Sequence, residues 1–303
     1  MATGWRLVTF QRGANAPATG IVLGATVHEL AGSGLEHRSV LQLLEDWDNV
    51  VPSLQQFARA AEASTRAKHS LSDVRLLAPV QQAPGLFCAG ANYHDHVREM
   101  SRGEPRRPVE PFFFLKSPAH CMVGPDEPVT LPHADCELDW EAEIAVIIGR
   151  EARHVSEAAA LEYVAGYSIL NDLSARDLMK RSDVSFVFDW LGQKVFPGSA
   201  PMGPWLTPAA AIADPQNLAI RLWVNDTLQQ DSSSRQMIFS VAEQIAYLSR
   251  RITLCPGDVI ATGTPAGVGR PRGLSLKAGD RMRIEIEGLG VLETPIVAAR
   301  MAR

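Results

Sequence analysis

Apolar and polar residues alternate in Trp5-Arg6-Leu7-Val8-Thr9-Phe10 and again around Ile21-Val22-Leu23, with glycine-containing turns between them. This period of two predicts a small antiparallel meander. The spacing then turns helical over residues 38–45 and 52–64. Ser70 to Pro84 carries two prolines and little periodicity, which predicts a boundary: a small N-terminal α+β domain over residues 1–75 and a larger domain over residues 76–303.

From residue 85 onward, short apolar runs (Glu143 to Ile148, Ala219 to Val224, Asp258 to Ala261, Arg281 to Ile286) are separated by Gly and Pro. Three stretches read as helices, Ser156 to Ala165, Ser174 to Lys180 and Ser240 to Arg250, each opened by a serine suited to N-capping. There is no regular alternation of strand and helix, so a doubly wound parallel sheet is disfavoured and an α+β, strand-rich fold is expected.

Composition narrows the partners. A chain of 303 residues with 46% hydrophobic content can bury a large core, and 29 basic against 34 acidic residues give a formal charge of −5. That balance offers no general attraction to nucleic acid or anionic lipid. No segment reaches the roughly 20 apolar residues of a membrane helix, and the first residues lack the apolar core of a secretory signal, so a cytoplasmic enzyme is expected. Cys88, Cys121, Cys136 and Cys255 form no C-x-x-C pair and read as reduced, buried thiols.

Two patterns exclude common chemistries. Gly263 to Gly269 is glycine-rich but lacks the lysine and following helix of a phosphate loop, and no G-x-S-x-G elbow exists for a serine nucleophile. The strongest chemical signal is acidic. In Glu137-Leu138-Asp139-Trp140-Glu141-Ala142-Glu143, carboxylates fall on every second residue and run into the apolar Ile144 to Ile148. As one strand, this places Asp139, Glu141 and Glu143 on one face, where burial demands a cation unless the strand is a solvated edge. Asp172 sits where an apolar run ends, as a turn residue or a further ligand. Three carboxylates without neighbouring His or Cys specify oxygen-only ligation, suited to Mg²⁺ or Mn²⁺, with Ca²⁺ a further candidate.

Residues 85 to 290 resemble the fumarylacetoacetate hydrolase family. The likeness is carried by Gly90 to Glu99, Phe114-Leu115-Lys116, Glu141-Ala142-Glu143, Gly166 to Asp177, Lys194 with Pro201 to Pro204, Met237 to Ser240, and Gly257 to Gly269. The resemblance implies a mixed β-roll main domain, a metal held by Glu141, Glu143 and Asp172, a homodimer, and a small 2-oxo acid as substrate. It matches His96 and Glu99 to a His and Glu pair that activates water, with an i, i+3 spacing that aligns them if the segment is helical. It places Lys194 in the site as a stabiliser of an enolate or oxyanion. Tyr93, Lys116, Arg176, Met179, Gly263 and Thr264 are the implied substrate-contact positions, with Arg176 and Thr264 as holders of the substrate carboxylate. His94 has no such role and reads as a bystander.

The pattern also departs from the family. Met179 stands where relatives commonly carry Gln and Pro197 where they carry Asp, which implies a more apolar pocket wall and a bulkier distal group on the substrate. Arg235 replaces a small residue and either meets a second anionic group or lies in solvent. The leading expectation is metal-dependent hydrolysis of a carbon–carbon bond in an acylpyruvate-like acid. The alternatives are decarboxylation or keto–enol isomerisation of an oxaloacetate-like acid at the same metal, and a non-catalytic 2-oxo acid binding protein.

Overall fold

The computed structural model describes residues 4–30, 33–35, 39–61, 67–101, 106–185 and 187–299. The alternating N-terminal segment forms the expected meander from β1 (Arg6–Gln11), β2 (Ala18–Leu23) and β3 (Thr26–Glu29), with Leu7 opposite Ile21 and both fully buried. Helix α1 (Val40–Leu44) is capped by Ser39, whose hydroxyl accepts from the amide of Gln42 at 3.2 Å. Helix α2 (Trp47–Ala60) begins five residues earlier than predicted, because Pro52 lies inside the helix instead of opening it. Its buried stripe is Trp47, Val50, Leu54, Phe57 and Ala58. Residue 38 and residues 62–64 of the predicted helices lie outside the described residues. Strands β4 (Lys68–Ser70) and β5 (Arg75–Leu76) pair with β3 and β1.

The chain continues through β6 (Leu86–Gly90), α3 (His94–Met100), β7 (Phe112–Lys116), α4 (Pro118–Cys121), β8 (Met122–Val123), β9 (Val129–Thr130) and β10 (Leu138–Asp139). It then forms β11 (Ala142–Ile148), β12 (Val164–Asn171), β13 (Ser174–Ala175), α5 (Trp190–Lys194) and β14 (Ala200–Pro208). A large mixed sheet runs β4-β3-β2-β1-β14-β12-β11-β17-β6-β7, where β17 is Val259–Ala261. A second sheet runs β16-β15-β18-β19-β9, from β15 (Ala219–Val224), β16 (Thr227–Ser233), β18 (Arg281–Ile286) and β19 (Gly290–Val297). The N-terminal meander joins the large sheet where Leu7 pairs with Leu206. No described helix is long and apolar enough to cross a membrane.

Strand β11 explains where the core sits. Ile144, Val146 and Ile148 point into one apolar cluster with Ile220, Leu222, Ile284 and Leu292 of the second sheet, while Ala145 and Ile147 point into another with Leu43 and Leu54 of the N-terminal helices. Both faces are covered, so the run is continuously apolar and not alternating. With β12 and β17 on either side, β11 is an interior strand, which rules out the solvated-edge alternative for its carboxylates.

The remaining predicted elements divide. Helix α6 (Val241–Arg251) matches the expectation around Ser240 to Arg250 and opens with a reciprocal cap, Ser240 accepting from the Glu243 amide and Glu243 from the Ser240 amide. The predicted helix over Ser156 to Ala165 is instead a turn, with one 3₁₀ turn at Ala160–Tyr163, because Val164 is already committed to pairing with Ile148. The predicted helix over Ser174 to Lys180 is β13 followed by a 3₁₀ turn at Arg176–Met179. Ser174 gives its hydroxyl to Glu141 and to the Asp172 carbonyl and so does not cap. Of the four cysteines, Cys88, Cys121 and Cys136 are buried as expected, but Cys255 is exposed.

Candidate metal centre and proton-transfer site

Three segments bring the carboxylates together. The acidic run spans two strands in one register: Asp139 ends β10, Trp140 and Glu141 link it to β11, and Glu143 lies in β11. Asp172 follows β12, whose last residue, Asn171, pairs with Ala142, and the Asp172 amide bonds the Glu141 carbonyl at 2.9 Å. Glu141, Glu143 and Asp172 each offer an oxygen within 4.8 Å of the others, and all three are buried. Asp139 shares Arg176 with Glu141 but does not join the triad: it accepts from the amides of Gly269 at 2.6 Å and Arg270 at 3.2 Å.

Buried cations surround this group. Lys194, at the end of α5, places Nζ 2.8 Å from Glu141 Oε2 and 2.6 Å from Asp172 Oδ2. Lys116, at the end of β7, lies 2.6 Å from Asp172 Oδ1 and donates to the carbonyls of Leu173 and Ser199. Both lysines are 3% exposed, so neither is a surface residue with a buried stem. Arg176 donates from Nε to Asp139 at 2.9 Å and from a terminal nitrogen to Glu141 at 2.5 Å. Its guanidinium spans two protein carboxylates, which makes it a positioning residue for Glu141 and occupies the fork assigned to a substrate carboxylate.

Among the described residues, these three cations are bonded to Asp139, Glu141 and Asp172, while Glu143 receives only the Gly263 amide at 2.8 Å. Burial, then the charges of Asp172 and Glu141, raise the Glu143 carboxyl well above its ordinary range. Burial also opposes ionisation of Glu141, but Lys194 and Arg176 outweigh it and hold that carboxyl below the usual range. Burial depresses the Lys194 ammonium, and Asp172 and Glu141 more than restore it. The imbalance at Glu143 is the fit test for a metal: a buried, uncompensated carboxylate beside two others, all oxygen donors, suits a hard divalent cation such as Mg²⁺ or Mn²⁺.

The glycine-rich turn has a role that the sequence did not reveal. Its amides serve protein carboxylates: Gly263 bonds Glu143, Gly267 bonds both oxygens of Glu99 at 3.1 Å, and Gly269 bonds Asp139. Gly267 has φ +102°, and a Cβ there would stand 2.1 Å from the Gln229 carbonyl oxygen, so only glycine fits. The one available signal was the spacing of Gly263, Gly267 and Gly269. Thr264, expected to donate to substrate, instead donates to the Ala142 carbonyl and accepts from Gln230.

His96 and Glu99 lie on α3, which the resemblance had left conditional. His96 Nδ1 stands 3.5 Å from Glu99 Oε2, with both side chains largely buried. The approach to α3 is fixed by Asn92, a residue the sequence reading passed over. Its amide donates to the carbonyls of Phe239 and Thr262, and its oxygen accepts from the Phe239 amide. Tyr93 is buried at the start of α3, with burial and then Glu143 raising its phenol.

Other expected positions fall outside this group. Met179 Sδ is 2.8 Å from an Arg270 guanidinium nitrogen, and Pro197, His94 and Arg235 are exposed. An apolar margin does adjoin the site: Phe114 lies 4.9 Å from Lys194 Nζ and stacks on Trp190, which also meets Phe112. Cys88 is buried nearby, its thiol raised well above the ordinary value by burial and then by Asp172.

Comparison with known proteins agrees with this arrangement. Residues 85–297 match the profile described as fumarylacetoacetate (FAA) hydrolase C-terminal. The chain is 40% identical over 247 residues to the mitochondrial oxaloacetate tautomerase fahd2 of Xenopus laevis, covering 81% of this chain and 75% of that protein. It is likewise 40% identical to human mitochondrial oxaloacetate tautomerase FAHD2B, over 79% of this chain and 75% of that protein. The crystal structure of maleylpyruvate hydrolase from Sphingobium sp. SYK-6, in complex with manganese(II) and pyruvate, is similar with a TM-score of 0.78 at 30% identity, covering 97% of this chain and all of that one. With its carboxylate triad in the matched region, the chain belongs to the fumarylacetoacetate hydrolase family.

Proposed function

We propose that this chain is a divalent-metal-dependent enzyme that interconverts the enol and keto forms of an oxaloacetate-type 2-oxo acid. The observation that carries this reading is the buried carboxylate triad of Glu141, Glu143 and Asp172, with the His96 and Glu99 pair of α3 to handle a proton. The 40% identity to proteins named oxaloacetate tautomerases supports it. Glu141, Glu143 and Asp172 would hold the cation, which when bound supplies Lewis-acid polarisation of a 2-oxo acid's oxygens.

The residues of the chain then handle the proton. His96 takes the enol hydroxyl proton and returns one to the adjacent carbon. Glu99 lies 3.5 Å from the ring nitrogen, and Gly267 holds Glu99. Lys194 holds Glu141 and Asp172 in place and adds positive charge where the substrate's oxygens become negative.

A second reading is carbon–carbon hydrolysis of an acylpyruvate-like acid. The His96 and Glu99 pair serves it equally well, because the same dyad suits activation of water, and the similarity to maleylpyruvate hydrolase supports it. One experiment separates the two. The enzyme with Mg²⁺ or Mn²⁺ is given enol oxaloacetate, keto oxaloacetate and a panel of acylpyruvates, and products are identified. Accelerated loss of the enol signal without release of carbon dioxide supports tautomerisation. Pyruvate plus a carboxylic acid from an acylpyruvate, with no effect on the enol, would sink it in favour of hydrolysis.

A further inference from the structure

Apart from the carboxylate triad, one other set of described residues gathers metal-ligating atoms of different kinds. His133 and Cys136 lie in the loop before β10, spaced H-x-x-C, and Asp177 lies in the 3₁₀ turn after β13. One donor atom from each falls within 4.8 Å of the other two. We propose that His133, Cys136 and Asp177 form a second metal site that takes a borderline-soft divalent ion of the zinc type, independent of the oxygen-only centre.

The donor chemistry makes the distinction. Imidazole, thiolate and carboxylate together match zinc's preference, whereas magnesium and manganese favour oxygen alone. The geometry is already organised. His133 Nε2 stands 2.8 Å from Asp177 Oδ2, and Asp177 Oδ1 accepts from the Glu137 amide at 2.9 Å, which aims the carboxylate at the loop. Cys136 is 6% exposed and supplies the inner ligand, while the His133 side chain is 42% exposed and leaves a path for the ion and for a water as fourth ligand.

The placement suits a clamp. The site joins the segment leading into Asp139 to the turn that carries Arg176, and the Asp139 to Arg176 contact orients Glu141. An ion at this site ties the two segments together from outside without touching the reacting groups. It acts on stability, not on the chemical step.

Cobalt(II) is the probe, because only a site with sulfur gives a thiolate-to-cobalt charge-transfer band in the near ultraviolet. The full chain is held in excess Mg²⁺ to fill the oxygen site and titrated with Co²⁺, then with Zn²⁺, while thermal stability is followed. The expected result is a charge-transfer band that saturates at one equivalent, is displaced by Zn²⁺, and accompanies a rise in melting temperature. Cys136→Ser removes the band and the rise. His133→Ala, a change at a half-exposed side chain, weakens cobalt binding by well over an order of magnitude. Glu141→Gln and Cys255→Ser leave the band intact. Absence of the band in the unmodified chain, its survival in Cys136→Ser, or its loss in Cys255→Ser would overturn the proposal.

Discussion

The amide of Gly267 stands 3.1 Å from both carboxylate oxygens of Glu99, so the acidic partner of His96 is held by the glycine-rich turn as well as by its own helix. The proton-transfer pair is thereby fixed from a part of the chain 168 residues away. His96→Ala is expected to lower turnover by about 10²–10⁴-fold, the usual contribution of a positioned acid–base group. Manganese binding measured by calorimetry should be unchanged, and a comparable loss of metal affinity would remove His96 from the proton-transfer role.

Gly267→Ala tests the same relationship from the other side. The added methyl meets the Gln229 carbonyl oxygen, and φ +102° is a conformation that non-glycine residues rarely adopt. Turnover is expected to fall because Glu99 loses its anchor, with metal affinity preserved. Full activity in this variant would show that the anchor is dispensable.

Metal binding itself carries a pH signature. In the metal-free chain, burial and the neighbouring carboxylates raise the Glu143 carboxyl, whereas a cation requires its ionised form. The sign follows: affinity for Mn²⁺ rises with pH through the raised titration of Glu143, and binding releases a proton. Calorimetry in two buffers of different ionisation heat measures that release. Glu143→Gln should abolish it together with most of the affinity, and an unchanged proton count would refute the assignment.

Arg176→Ala leaves Asp139 and Glu141 buried without the cation that joins them. Breaking a buried ion pair from one side costs about 3–5 kcal/mol, so a clear drop in denaturant midpoint is expected. Arg176→Lys should recover only part of it, since an ammonium cannot reproduce the two-pronged contact. A substrate-holding arginine would instead raise KM and leave stability nearly untouched.

Asn92→Ala removes hydrogen bonds that tie the start of α3 to Phe239 and Thr262. The groups left without partners are buried, for an expected loss of about 1–3 kcal/mol. Urea unfolding measures it, and activity should fall in parallel as His96 loses its fixed approach.

Much of the site was legible because burial makes charge conspicuous. Glu141 and Glu143 run into an apolar strand, and Asp172 follows another, so each needed a cation once those strands proved to be interior. The roles of Arg176, Thr264 and the glycine amides were not legible, because each depends on a partner distant in sequence that pattern alone cannot supply. Asp139 keeps the register of the run but is taken by the amides of Gly269 and Arg270 and by Arg176, partners equally distant in sequence. The same competition decided the fold. Ser240 to Arg250 became a helix because its cap is local, whereas the alanine-rich stretch after Ser156 yielded to the pairing of β12 with β11.

Strand β11 sends alternate side chains into two separate apolar cores, while α3 buries none of its residues. Glu143 therefore stands on a strand that cannot shift without disturbing both cores, whereas His96 stands on a helix held by polar contacts such as those of Gly267 with Glu99 and Ser232 with Asp95. Such a division makes the two halves of the site unequal under mutation. Substitutions along α3 and the Phe112 to Trp190 margin are expected to cost less stability than substitutions in β11. A fold built this way separates a carboxylate scaffold anchored in two cores from a margin free to vary around it.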